Sequence, residues 1–372
     1  MKRLAYLAAV CICLPLGTQA ATVTHIPWGQ DASGAPVELY TIKSAKAEVT
    51  VTTYGAHLVS IRVPNRKGAM GNVLLSQDSV KGYLGMGALQ GATIGRYANR
   101  IDHGQFMLGD KTYQIPPGPK SIALHGGPTG FNKKTFTAKV IPDGVAMSLV
   151  SPDGDMGFPG TLNFTVSFTL TERKGNPALK IQYEATTDKE TVVNFTNHAY
   201  FNLGDDPATP VLDDVARIDA DKYTPFDARQ IPTGEIATVE GTPFDFRTAH
   251  AIGDKAPDRG YDHSFVLRAP GLDAPQVEVD DPASGRTIQV LTTEPGLQFY
   301  VPRNPPPRPA PAGAPSFPRR AMQGSFSLET QHFPDAPNHP NFPTTVLVPG
   351  QTFHSTTIYV FGVMRGEKGK SK

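Results

Sequence analysis

Leu162-Asn-Phe-Thr-Val-Ser-Phe-Thr-Leu-Thr171 and Leu179-Lys-Ile-Gln-Tyr-Glu-Ala-Thr186 are two runs in which apolar and polar residues alternate, separated by Arg173-Lys-Gly-Asn-Pro177. Alternation with period two puts successive side chains on opposite faces, the pattern of a strand with one buried face. The Gly, Asn and Pro between them are turn formers. Outward from this pair the same rhythm recurs. Glu48 to Thr53 and His57 to Val63 alternate, the second closed by Asn65-Arg-Lys-Gly68. Gln105 to Ile115 reads as two short strands around Gly109-Asp110, a two-residue hairpin signature. Gln276 to Val279 and Arg286 to Thr292 flank Asp281-Pro-Ala-Ser-Gly285, and Thr356 to Val363 is a last apolar strand. No window of twelve or more residues combines helical periodicity with capping residues. Turn signals every 8–12 residues, with no linker-like gap, predict one large all-β domain, a sandwich or barrel.

Composition agrees. The chain has 36 glycines and 35 prolines in 372 residues, well above the usual share of roughly 12% for the two together, which argues against a helical bundle. Hydrophobic residues make up 39% and charged residues 19%, enough apolar material for a core. The formal net charge of +1 removes the case for a nucleic-acid partner.

The chain starts Met1-Lys2-Arg3, continues with an uncharged apolar run from Leu4 to Leu16, and then reads Gly17-Thr-Gln-Ala20. This is the layout of a secretory signal peptide, and the run is too short for a spanning anchor of about 20 residues. Residues 1–20 are therefore expected to be a leader cleaved after Ala20, leaving a product with no membrane attachment. Both cysteines, Cys11 and Cys13, fall inside it. A cysteine-free exported chain points to a bacterial periplasm or cell exterior. Residues 21–364 are expected to form the β domain, and 365–372 a disordered basic tail. Pro302 to Pro318 is too proline-dense for a sheet and reads as an irregular, polyproline-like loop.

Nucleotide loops, H-E-x-x-H and G-x-S-x-G are all absent from the sequence. The ten histidines lack the short spacing of zinc ligands, so no metal or cofactor is expected. Asp153-Gly-Asp155 reads as a polar turn. What stands out is a series of polar residues set in strand-like segments. In order they are I-G-R-Y-A-N-R-I (94–101), L-H-G-G (124–127), T-N-H-A-Y-F-N-L (196–203), Y-D-H-S-F (261–265), P-G-L-Q-F-Y (295–300) and L-E-T-Q-H-F-P-D-A (328–336).

Together these six motifs resemble the aldose 1-epimerases, or galactose mutarotases, from about Val49 to Phe361. The resemblance implies a large single-domain β-sandwich of the galactose mutarotase-like type, with an open groove on one sheet. It implies an isomerase that interconverts the α and β anomers of free hexoses such as galactose and glucose, without a cofactor, as a monomer or homodimer. Carried over by position, the general acid falls on His198 and the general base on Glu329. The sugar-binding residues fall on Asn99, Arg100, His125, Asp262 and Gln298. His103, His250, His263, His332 and His354 are left to structural roles.

These residue types suit that chemistry. Opening a hemiacetal ring needs a base for the C1 hydroxyl proton and an acid for the ring oxygen O5, and a carboxylate with an imidazole supplies both. Amides, a guanidinium and a second carboxylate offer fixed donors and acceptors to a polyol, while Tyr200 and Phe201 offer aromatic faces, with at least one of the two expected to fill the core instead. The sequence departs from the family pattern twice. Val301-Pro-Arg-Asn304 and the proline run replace a Thr-Gly-Asn segment and a Gly-rich loop. Phe131-Asn-Lys-Lys-Thr-Phe136 stands where F-D-K and a tryptophan are usual. Two other functions share the scaffold. A carbohydrate-binding protein without catalysis could dispense with His198 or Glu329, and both are present. A hexose 6-phosphate epimerase would want extra basic groups, for which only Arg303, Arg308, Arg319 and Arg320 offer themselves.

Overall fold

The hairpin read from Leu162 onward is the longest in the protein's main sheet. Leu162–Arg173 and Asn176–Thr187 pair antiparallel from Leu162↔Thr187 to Arg173↔Asn176. Its apolar positions Leu162, Phe164, Val166, Phe168 and Leu170 are all buried, so the alternation did report one face on a core. The computed structural model describes residues 20–85, 87–206, 209–258, 260–302 and 324–364. Residues 1–19 of the expected leader, nearly all of the proline-dense segment and the expected tail at 365–372 lie outside that range.

Around this hairpin runs a nine-stranded sheet. Its order is Thr137–Ile141, Gly144–Ser151, Leu162–Arg173, Asn176–Thr187, Phe353–Val363, Arg286–Thr292, Val277–Asp280, Val215–Ile218 and His250–Ala251. A five-stranded sheet orders Ala237–Thr238, Lys222–Thr224, Gly260–Val266, Gly296–Pro302 and Ser327–Gln331. A second five-stranded sheet is the meander from Thr22–Gln30 to Met70–Asn72. Among the described residues every strand ladder is antiparallel. The α-helix among the described residues is the single turn Val80–Tyr83.

The sheets share one apolar core. Phe164 meets Phe195 at 4.5 Å and Phe131 at 5.0 Å between ring centres. Ile288, Val290 and Tyr359 of the large sheet join Phe265, Phe299 and Leu328 of the small one in the same buried cluster. Each fully buried side chain of this size contributes roughly 1.5–3 kcal/mol. Two polar contacts fix how the small sheet sits. The Tyr359 hydroxyl donates to the Leu328 carbonyl at 3.0 Å, and the hydroxyls of Thr330 and Thr357 meet at 2.6 Å. Leu328 and Thr330 therefore face the large sheet, and alternation turns Glu329 the other way.

Candidate active site

Glu329 is the middle residue of Ser327–Gln331, a strand buried along its whole length. Its register partner on the next strand is Gln298, and Gln298 in turn pairs with Ser264. Asp262 lies two residues from Ser264, so it shares that face. The Gln298 amide donates to Asp262 Oδ1 at 2.6 Å. Three of the expected residues are thus brought together by sheet register alone.

His198 arrives from another element. It ends the strand Thr196–His198, which pairs with Ala92–Ile94 and runs beside Ser327–Gln331. Asn197 anchors that strand by donating to the Gly91 carbonyl at 2.8 Å. The His198 ring stacks on Tyr200 at 4.8 Å and meets the edge of Tyr300 at 6.3 Å. Its Nε2 stands 3.8 Å from Glu329 Oε1, too long for a hydrogen bond.

Asn99, Arg100 and His125 come from a two-stranded ladder in which Arg100–Asp102 pairs with Ile122–Leu124. Asn99 and His125 bracket its end, with left-handed φ values of 65° and 52°. Asparagine and histidine are among the residues that tolerate that region. The Asn99 carbonyl accepts from the His125 N–H at 2.9 Å, and the Asn99 N–H donates to His125 Nδ1 at 3.2 Å. Arg100 donates to the Asn99 side-chain oxygen at 3.1 Å and to Asp262 Oδ2 at 2.9 Å. The His125 ring lies 5.3 Å from that of His198. All seven residues expected at the site form one closed circuit, from His198 through Glu329, Gln298, Asp262, Arg100 and Asn99 to His125. Arg96, in the same motif as Arg100, has a different place. It is buried, and it donates to the carbonyls of Ser151, Pro159 and Gly160.

Burial sets the electrostatics. Desolvation, then the charge of Asp262, pushes the Glu329 carboxyl well above the usual carboxylate range. Desolvation lowers His198 to about 4. It also holds His125 well below the usual imidazole value, with His198 and Arg100 adding to the effect. Burial thus disfavours the charged form of each member of the pair. His198 Nδ1, Glu329 Oε2 and Gln298 Oε1 are buried without a hydrogen-bond partner. Atoms so placed are costly unless a ligand completes them.

His125, His198 and Glu329 offer one ligand atom each within 4.8 Å of one another, a cluster that sequence spacing concealed. The hydrogen bonding of His125 does not suit a metal. Its Nδ1 accepts from the Asn99 N–H, so the neutral ring carries its proton on Nε2 and presents a donor to the site. A ligating imidazole needs the opposite, with its far nitrogen donating to an acceptor.

The aldose 1-epimerase family model matches residues 38–360. The chain belongs to the aldose 1-epimerase family. It is 37% identical over 346 residues to the galactose mutarotase of Mus musculus, covering 92% of this chain and 99% of that one. It is 38% identical over 344 residues to the aldose 1-epimerase of Escherichia coli K12, covering 88% and 96%. The crystal structure of galactose 1-epimerase from Lactobacillus acidophilus superposes with a TM-score of 0.77 at 25% identity, covering 93% and 100%. Like the rest of its family, the protein is an isomerase on a mutarotase-type β-sandwich.

The family's usual F-D-K segment is replaced here without damage to the scaffold. Phe131 and Phe136 enter the core, and buried Asn132 donates to the Ala88 carbonyl at 2.9 Å. Two residues at this candidate site escaped sequence reading. Tyr300 was visible only as part of the Gln298 motif. Gln230, whose amide reaches Asp262 Oδ2 at 2.9 Å, sits in an irregular loop that offers no pattern to read. Near it, a cavity of about 530 Å³ is lined by Asp102, Asp227, Arg229, Asp335 and His339, among others. Neither His198 nor Glu329 lines it.

Proposed function

We propose that the protein interconverts the α and β anomers of free aldohexoses such as galactose and glucose, with Glu329 and His198 as the proton-transferring pair. The observation that carries this reading is the buried pair 3.8 Å apart, with a circuit of groups able to hydrogen-bond to hydroxyls around it. Glu329 takes the proton of the C1 hydroxyl while His198 gives one to O5, and the C1–O5 bond breaks. The open aldehyde turns about C1–C2. Reversing both transfers closes the ring to the other anomer, so the pair ends as it began. Because burial disfavours charge on both groups, the reactive arrangement of ionised Glu329 and protonated His198 is favoured when sugar hydroxyls donate to the carboxylate. Positioned proton transfers of this kind contribute about 10²–10⁴-fold each.

Asn99, Arg100, His125, Asp262 and Gln298 hold the remaining hydroxyls, with His125 Nε2–H as a fixed donor. Arg100 is the cation of this circuit and is already paired with Asp262, which favours a neutral sugar over a hexose phosphate. The optical rotation of freshly dissolved α-D-galactose tests the reading. It should relax to equilibrium faster with the protein than in buffer, and an unchanged rate would refute it.

The leader layout supports a second proposal, that residues 1–20 are removed during export to the periplasm or cell exterior. Among the described residues no helix is long and apolar enough to cross a membrane. The intact mass of exported protein should correspond to a chain starting at Ala21.

A further inference from the structure

Asp262 carries more donors than its expected partners account for. Gln298 Nε2 donates to Oδ1 at 2.6 Å, Arg100 Nη2 to Oδ2 at 2.9 Å, and Gln230 Nε2 to the same Oδ2 at 2.9 Å. Gln230 comes from the loop between Lys222–Thr224 and Ala237–Thr238, remote from every motif that marks the site. The loop is built to deliver it. Asp227 Oδ1 accepts from the N–H groups of Arg229 at 2.8 Å and Ile231 at 3.0 Å, and the Asp227 carbonyl accepts from the Gln230 N–H at 2.8 Å. Gln230 is thereby held at a φ of 70°, a region unfavourable to a residue with a Cβ. Its neighbour Arg229 reaches the other way and grips Asp102 with two bonds of 2.7 and 3.2 Å. Asp102 lies two residues beyond Arg100 on the same strand. Consecutive loop residues thus clamp the strand that bears Arg100 and the carboxylate that Arg100 meets.

We propose that Gln230 is a positioning residue, which fixes the Asp262 carboxylate so that it accepts a single sugar hydroxyl. An ionised carboxylate has about four acceptor positions. Arg100 and Gln230 fill both positions on Oδ2, and Gln298 fills one on Oδ1, which leaves one direction open. Without Gln230, a second direction opens on Oδ2 and one of the three bonds that stop the carboxylate from turning is lost. The effect falls on sugar binding and on the choice between epimers, because Gln230 acts through Asp262 and not on the reacting oxygens.

This inference rests on the sugar-binding reading of Asp262, and the test separates the two. KM and kcat for galactose and glucose are measured for the wild type, Gln230→Ala, Gln230→Gly, Asp262→Asn and the double variant Gln230→Ala with Asp262→Asn, each checked for a normal melting temperature. Both Gln230 variants should raise KM for galactose about tenfold, as expected for one bond to a charged group, and shift the galactose-to-glucose ratio of kcat/KM, with kcat little changed. In the Asp262→Asn background, Gln230→Ala should add nothing further, since coupled residues are non-additive. Three results would overturn the role of Gln230 alone. They are an unchanged KM, an equal further rise in the Asp262→Asn background, or a Gly variant that keeps the wild-type KM while Ala does not. That last result would show that only the backbone matters, because glycine suits the positive φ. A KM unmoved by Asp262→Asn would overturn the sugar-binding reading and the proposal with it.

Discussion

Glu329→Gln should nearly abolish anomerisation and at the same time make the protein more stable, most clearly at alkaline pH. The amide keeps the shape of the carboxyl and is neutral, the form that burial favours for Glu329, so the fold loses nothing. It cannot take up a proton, so the rate should fall by about 10³, within the range for one positioned proton transfer. The stability gain follows from linkage. In the unfolded chain the carboxyl ionises near ~4.3, whereas burial raises it well above that in the fold. Its contribution is therefore most favourable below the unfolded value and is lost as pH rises towards the folded one. Each unit of that rise costs about 1.4 kcal/mol, and glutamine escapes the cost. One such unit corresponds to roughly 2–3 °C in melting temperature for a domain of this size. Melting curves of both proteins from pH 4 to pH 8 should coincide at the acid end and diverge above it, with the variant higher. Polarimetry on the same samples gives the rates. A variant that keeps more than a few per cent of activity would show that Glu329 carries no proton in the reaction. One less stable at pH 8 would show that the buried carboxyl is not held neutral.

His198→Asn should lower kcat by about 10²–10⁴-fold. It should also remove the acid limb of the kcat/KM profile, because burial lowers the His198 imidazole to about 4; an unchanged limb would assign that titration elsewhere. His57, His125, His198 and His263 are all lowered by burial. They stay neutral in the fold but charge in the unfolded chain near ~6.5, so their contribution is present above that pH and is lost as pH falls towards 4. Melting temperatures should drop across that window, and a flat profile would contradict it. Gly126→Ala places a Cβ 2.1 Å from the Gly95 carbonyl at a φ of 82°. It should destabilise by more than about 2 kcal/mol and lower kcat through the displacement of His125, as calorimetry and polarimetry would show.

Long strands with one buried face were legible because period two survives in them. The hairpins at 105–115, 162–187 and 276–292 stand where the alternation puts them. The last strand starts at Phe353, three residues before the apolar run declares itself. Thr22–Gln30 gave no sequence signal, as most of it is exposed and neither face alternates. The three-residue strands that carry His198 and Arg100 are too short to show a period, so motifs had to supply what periodicity could not. Those motifs brought out all seven members of the circuit. Register in the small sheet then explains why Glu329, Gln298 and Asp262 share a face, a relation between three strands that no single segment displays. Gln230 remained hidden because its role depends on loop geometry. The shifts of Glu329 and His198 towards their neutral forms remained hidden because they depend on burial from all sides.

The central claim is that ring opening exchanges the anomers by moving hydroxyl protons only. Magnetisation exchange between the two H1 signals of equilibrated D-galactose in heavy water tests it directly. The account predicts exchange between the α and β signals that grows with protein concentration, disappears with Glu329→Gln, and leaves C1 and C2 free of deuterium. Exchange no faster than in buffer would contradict it. So would deuterium at C2, which would mean that a carbon-bound proton is removed.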